Sequence, residues 1–298
     1  MNIKQLYGAH TALVTPLLNG QIDYPSLEKL VEHQIKGGIA SLLAVGTTGE
    51  SPTLSHDEHI EVTRFIVEKA RGRVPVIAGA GSNSTEEAKD LCRRSIEVGA
   101  DALLLVGPYY NKPNAEGQYR HFAEIARSVG KTPIILYSIP SRCGVDIPLS
   151  TVVRLAREFK NIVGIKEAGG SCDRVAQLRQ ELGEKFLILC GDDSLTLPFM
   201  SLGAKGVISV ATNIYVADLV KMVNLALKND FRAAGRISDK YYPLFKGLFV
   251  EPNPVPAKYA LKKAGIIRSD EVRLPLCEAS AETRARIDAL IKKLGKAR

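Results

Sequence analysis

Short apolar runs recur along this chain, and amphipathic stretches separate them. The runs lie near residues 11–14, 41–45, 74–78, 102–106, 133–137, 162–165, 186–189 and 206–210. Each has strand length, and successive runs begin about 20 to 35 residues apart, the spacing of strand–helix units. The stretches between them carry helix signals. In 25–36, Leu27, Leu30, Val31 and Ile35 form one stripe, Pro25 suits the first turn and Gly37 suits the stop. Ser55 with Glu58, and Ser84 with Glu87, have the spacing of capping boxes. Eight such units in series predict an α/β fold closed into a (β/α)8 TIM barrel rather than an open sheet. About 85 residues follow the eighth run, and one helix suffices to close the barrel. The expected division is therefore a barrel over 1–229 carrying the active site, and a C-terminal helical extension over 230–298 packed on it. Residues 281–294 form one of the extra helices.

Composition narrows the class. The chain of 298 residues is 45% hydrophobic and 24% charged, ordinary values for a globular protein with a full core. The first ten residues contain no long apolar stretch, which predicts no signal peptide, and no apolar run approaches the ~20 residues a membrane span needs. Five widely spaced cysteines with no C-x-x-C point to reduced thiols, a cytoplasmic setting and no zinc site. The net charge of +8 is dispersed, with a modest cluster at Lys292, Lys293, Lys296 and Arg298. Basic residues are not interleaved with aromatics, so no nucleic-acid partner is expected; a positive field helps collect small anions.

The chemistry is expected where barrel strands end. The sixth run reads Ile162-Val163-Gly164-Ile165-Lys166-Glu167. Alternation puts Ile162, Gly164 and Lys166 on one face and Val163 and Ile165 on the other. Lys166 either ends an edge strand and reaches water, or sits on the interior face, where desolvation lowers its pKa and frees an amine to attack a carbonyl. Tyr137, at the end of the neighbouring fifth strand, shares parity with Ile135 and would stand beside Lys166 as a proton shuttle. Arg142, just beyond, suits a carboxylate. After the second strand, Gly46-Thr47-Thr48-Gly49-Glu50-Ser51 offers backbone N–H groups and hydroxyls for a small anion, and Tyr109-Tyr110 follows the fourth. Gly79-Ala80-Gly81 lacks the third glycine of a dinucleotide loop. His56 and His59 lack a metal-binding pattern and read as surface residues of a helix's first turn. Neither a metal nor a cofactor is expected.

These motifs resemble the dihydrodipicolinate synthase family, within the pyruvate-dependent class I aldolases and lyases that include N-acetylneuraminate lyase. The carrying pieces are G-T-T-G-E-S at 46–51, P-Y-Y-N-K-P at 108–113, Y-S-I-P-S-R-C-G at 137–144 and G-I-K-E-A at 164–168. The resemblance implies that Lys166 forms a Schiff base with pyruvate and that Thr47 and Thr48 hold its carboxylate. It implies that Tyr137 shuttles protons through Thr47 to Tyr110, which reaches in from a neighbouring subunit. Arg142 would bind the carboxylate of L-aspartate 4-semialdehyde, Gly191 and Ile208 would line the site, and the assembly would be a homotetramer of two tight dimers. The implied product is 4-hydroxy-tetrahydrodipicolinate, on the route to diaminopimelate and lysine. An aldolase acting on a sugar acid, such as N-acetylneuraminate or 2-keto-3-deoxygluconate, is the alternative; a catalytically silent barrel is a third reading. Ser138 stands where asparagine is usual, and Cys143 where threonine is. In some relatives lysine binds at the dimer interface, and the matching residues here are Ser51, His56, His59, Asn83, Glu87 and Tyr109. Pro52 stands beside them where a small residue is frequent.

Overall fold

The computed structural model describes residues 3–295. Eight parallel strands close a barrel: β1 Gly8–Ala12, β2 Ser41–Ala44, β3 Val76–Gly79, β4 Ala102–Val106, β5 Ile134–Ser138, β6 Ile162–Glu167, β7 Leu187–Cys190 and β8 Gly206–Ser209. Each pairs with its neighbour in sequence, and β1 pairs with β8 to complete the ring. The strands are apolar on both faces because both are covered. Ile135, Tyr137, Leu187 and Leu189 fill the interior, while Ile134, Leu136 and Ile188 pack outward under the helices. At the seam Gly8 lies opposite Gly206, where φ is 155° and a Cβ would fall 1.8 Å from the Gly8 carbonyl oxygen, so closure there requires glycine.

Around the barrel run α1 Tyr24–Lys36, α2 His56–Ala70, α3 Thr85–Glu97, α4 Ala115–Ser128, α5 Leu149–Glu158, α6 Cys172–Leu182, α7 Thr196–Ser201 and α8 Val216–Leu227. Beyond them come α9 Phe231–Gly247, α10 Val255–Lys263 and α11 Ala281–Leu294. The extra helices form a continuous layer: α9 packs on α8, and α11 on both α9 and α10. The segment between α9 and α10 returns to the mouth of the barrel and brings Phe249 and Asn253 to it.

Three expectations need correction. The first strand begins three residues before the apolar run at 11–14, because His10 is a strand residue. Its ring is buried between Ser41 Oγ (2.6 Å) and the Leu6 carbonyl (3.0 Å), so a polar residue continues the ladder. In β6 the simple alternation fails. The register against β5 slips between Ile162 and Gly164, so Ile162 packs outward with Ile165 while Val163 joins the interior group. This bulge leaves Gly164 and Lys166 opposite Ile135 and Tyr137. Finally, Ser55 and Glu58 make a full capping box, but Ser84 and Glu87 make half of one. Ser84 Oγ accepts the Glu87 N–H, whereas the Glu87 carboxylate turns to His56 and Ser82.

Among the described residues no helix is long and apolar enough to cross a membrane, and no group of three or more His, Cys, Asp or Glu could hold a metal ion. All five cysteines are free thiols. Lys296 and Arg298 of the terminal basic cluster lie outside the described residues.

Candidate active site

Lys166 and Tyr137 are register partners on β6 and β5. Both are nearly inaccessible, at 6% and 5% exposure, and the Lys166 Nζ lies 4.1 Å from the centre of the Tyr137 ring. Burial lowers the Lys166 pKa to about 8; the Asp193 carboxylate and the Cys190 thiol oppose that fall, and the Arg142 guanidinium adds to it. Burial raises the Tyr137 pKa, with Arg142 and a hydrogen bond from Thr47 acting the other way. The pair is therefore an amine that can lose its proton near neutrality and a phenol that keeps its own. That combination lets the amine add to a carbonyl while the phenol handles the proton.

The pocket around them opens to solvent at the barrel mouth, and Thr47, Thr48, Arg142, Gly191 and Ile208 all line it. Thr47–Gly49 is a single 3-10 turn, ended by Glu50 in the left-handed region at φ 59°. Thr48 Oγ1 accepts a hydrogen bond from Asn253 Nδ2 at 2.9 Å. Glu50 is buried and makes an ion pair with the fully buried ammonium of Lys258. It also accepts the Arg273 N–H at 3.1 Å. The carboxylate thus locks the end of the turn to the C-terminal extension. Arg142 rides on a one-turn helix, Pro140–Cys143, and is exposed at the mouth, with Nη2 3.5 Å from the Asn253 carbonyl oxygen. Gly191 gives the lysine room: a Cβ there would stand 3.2 Å from Lys166 Cε and 2.6 Å from Ala168 Cβ. Ser138 and Cys143 are buried behind the chemistry, where Ser138 Oγ accepts the Ile147 N–H at 3.3 Å and Cys143 Sγ reaches the Gly107 carbonyl at 3.2 Å.

Tyr110 is not brought to this pocket by its own chain. It is 89% exposed, with φ 66°, on a loop that turns outward. Ser51, His56, His59, Glu87 and Tyr109 do meet, in a second cavity that shares Thr47 and Arg142 with the first. Pro52 lines it too. Asn83 is absent from that lining, and its carbonyl accepts from Asn111 Nδ2 at 3.0 Å. His56 is a surface residue, paired with Glu87 at 2.7 Å. His59 is not: it is 4% exposed, and burial lowers its pKa to about 4. Helix α2 turns that side chain inward, which the i, i+3 spacing from His56 did not convey.

Sequence reasoning missed Asn253 and Asp193. Asn253 sits between prolines in Glu251-Pro252-Asn253-Pro254, a stiff loop signal. Asp193 is 5% exposed and its Oδ2 accepts the N–H groups of Val210 and Ala211, each at 3.0 Å. It places a carboxylate near Lys166 from the turn that follows the neighbouring strand β7.

A buried amine of lowered pKa, paired with a phenol at the strand ends of a (β/α)8 barrel, defines a class: lyases that work through a lysine imine. The comparisons are specific within that class. The Dihydrodipicolinate synthetase family model matches residues 5–294, and the chain belongs to this family. The 4-hydroxy-tetrahydrodipicolinate synthase of Methanocaldococcus jannaschii is 46% identical, over 97% of this chain and 98% of its own. The solved structure of the corresponding enzyme from Methylacidiphilum fumariolicum SolV is 49% identical with a TM-score of 0.94, covering 97% of this chain and 95% of that one. The chloride-inhibited dihydrodipicolinate synthase of Acinetobacter baumannii, complexed with pyruvate, is 44% identical with a TM-score of 0.94, covering 97% and 98%.

Proposed function

We propose that this chain is a Schiff-base lyase that condenses pyruvate with L-aspartate 4-semialdehyde to 4-hydroxy-tetrahydrodipicolinate, on the route to diaminopimelate and lysine. The observation that carries the reading is the register pairing of Lys166, whose pKa is about 8, with Tyr137 inside the barrel mouth. Identity near 46% over almost the whole of a 4-hydroxy-tetrahydrodipicolinate synthase supports the substrates.

In this reading the neutral Lys166 amine adds to the pyruvate carbonyl and water leaves, giving a protonated imine. The imine draws electrons from the methyl group, which loses a proton to form an enamine. The enamine carbon attacks the aldehyde, forming the new C–C bond, and the aldehyde oxygen takes a proton. The semialdehyde's own amine then adds to the imine carbon and displaces Lys166, which closes the ring. Tyr137 moves protons at the imine, with Thr47 as its hydrogen-bonded relay. Thr48 and Thr47 hold the pyruvate carboxylate, Arg142 holds that of the semialdehyde, and Gly191 and Ile208 shape the walls. Tyr110 serves a neighbouring subunit's site, in keeping with its exposure, within a homotetramer of two tight dimers. The barrel, 1–229, supplies the reacting groups, and 230–298 acts as an extension that braces the mouth. Five unpaired cysteines fit a cytoplasmic setting. Free lysine is the proposed inhibitor at the second cavity, where Glu87 provides a carboxylate, His56 an imidazole beside it, and Tyr109 and Ser51 provide hydroxyls. Asn83 completes that set only if its loop moves toward the cavity.

Borohydride reduction in the presence of pyruvate should add one pyruvate-derived group to Lys166, and Lys166→Ala should abolish it. No adduct on the wild type, or the same adduct on the variant, refutes the imine. Steady-state assays with L-aspartate 4-semialdehyde, N-acetylneuraminate and 2-keto-3-deoxygluconate separate the family's activities. Turnover of a sugar acid with none of the semialdehyde would overturn the proposed substrate.

A further inference from the structure

Thr48 is buried in the pocket wall at 3% exposure, and its only side-chain partner among the described residues is Asn253. The direction of that bond matters. An amide NH2 can only donate, so the Thr48 oxygen is the acceptor and the Thr48 proton is left for another group. Among the described residues no protein acceptor takes it. A hydroxyl locked in this sense is a one-way donor, which suits an anionic oxygen and opposes a ligand N–H. Asn253 is itself 6% exposed; its side-chain oxygen has no protein partner, and the segment that carries it is fixed by its neighbours. Its main-chain oxygen faces Arg142, and five residues later Lys258 makes the buried ion pair with Glu50, at the end of the Thr48 turn. A fully buried charge pair is a weak source of stability but a strong geometric constraint. Here it holds the segment carrying Asn253 against the turn carrying Thr48.

We infer that Asn253 is a positioning residue for the keto-acid carboxylate: its amide group fixes the Thr48 hydroxyl as a donor toward that carboxylate, so the C-terminal extension sets the polarity of the barrel's anion site. The inference rests on the proposed imine chemistry at Lys166 and deepens it. It makes the extension part of substrate selection, because a carboxylate next to the carbonyl is recognised only when Thr48 points its proton inward.

The test is a double-mutant cycle on full-length enzyme. Asn253→Ala should raise the pyruvate concentration that half-saturates borohydride trapping about five- to tenfold, less than the more than tenfold cost of removing a hydrogen bond to a charged oxygen outright, because the Thr48 hydroxyl stays and loses only its orientation. Trapping of acetone, a ketone without the carboxylate, should be unchanged. The Arg142 contact uses the main-chain oxygen, which the substitution keeps, so the KM for L-aspartate 4-semialdehyde should stay within about twofold. In a Thr48→Val background Asn253→Ala should have no further effect on pyruvate. Asn253→Asp, which keeps the shape but cannot donate, should weaken pyruvate at least as much as alanine does. Equal losses for pyruvate and acetone, additive effects in the Thr48→Val background, or a wild-type-like Asn253→Asp would each overturn the inference. Absence of any pyruvate adduct on the wild type would instead fail the underlying reading.

Discussion

Replacing the proposed nucleophile should make the protein more stable. Lys166 has a pKa near 8 in the folded state against 10.5 unperturbed. At about 1.4 kcal/mol for each factor of ten, holding the charged amine in the barrel costs about 3 kcal/mol when it is fully protonated. The attraction of Asp193 is already inside that figure. The pH dependence follows from linkage. Below about pH 8 both states carry the proton and the folded state bears the cost in full. Between about 8 and 10.5 the folded state sheds the proton while the unfolded chain keeps it, so stability rises with pH and the penalty fades. Lys166→Met keeps the length and volume and removes the charge. Urea unfolding at pH 7 should show a gain of about 3 kcal/mol at unchanged m, shrinking to about 1 kcal/mol at pH 9.5. A variant less stable than the wild type at pH 7, or a gain that does not change with pH, would refute the claim that desolvation sets the reactivity of this amine.

Four other outcomes are expected. The kcat/KM for pyruvate should rise with pH and level off near pH 8, since it reports the free amine; a profile still climbing tenfold for each pH step beyond 9 would contradict the buried environment of Lys166. Gly191→Ala should slow borohydride trapping by about tenfold or more while the fold survives, because the added methyl presses on Lys166 Cε and Ala168 Cβ; unchanged trapping kinetics would count against that contact. Glu50→Gln should destabilise the protein by about 3 kcal/mol in denaturant titration, since it leaves Lys258 charged and buried without its partner; a loss below about 1 kcal/mol would disagree. His10, His59 and His121 are buried, with pKa values lowered to about 4, so the unfolded chain binds three protons more readily from about pH 6.5 downward. Stability should therefore fall steeply between about pH 6.5 and 4, seen as acid unfolding by circular dichroism that begins above the carboxylate range, and a flat stability down to pH 4 would argue against it.

Lys166 and Tyr137 come from strand ends of the barrel, yet the turn bearing Thr47 and Thr48 is held from outside it, by Asn253 and Lys258. Two bonds from residues 253–258 grip Thr48 within one 3-10 turn and Glu50 at its end. A segment that follows the barrel thus fixes a turn in the pocket wall.

What the chain's order of residues determined by itself was whatever depends on local periodicity. Eight apolar runs at strand–helix spacing specify the barrel, because a strand covered on both faces must be apolar throughout. The meeting of Lys166 with Tyr137 was legible for the same reason: parity and neighbouring strand number define it, and the register bears it out. The motifs after the second, fourth, fifth and sixth strands marked the mouth. What only the tertiary structure decided involves groups distant in sequence or a break in the period. The slip in β6 reverses the face of Ile162, and no local signal distinguishes a bulge from plain alternation. His10 reads as polar until Ser41 and Leu6 surround it. His59 reads as exposed until the helix packs. Glu87 reads as a cap until His56 and Ser82 compete for it. Asn253 and Lys258 find Thr48 and Glu50 across more than two hundred residues, a contact that only the return of the extension over the barrel mouth creates. Periodicity decides which face a side chain takes; which partner it meets there depends on packing over the whole chain.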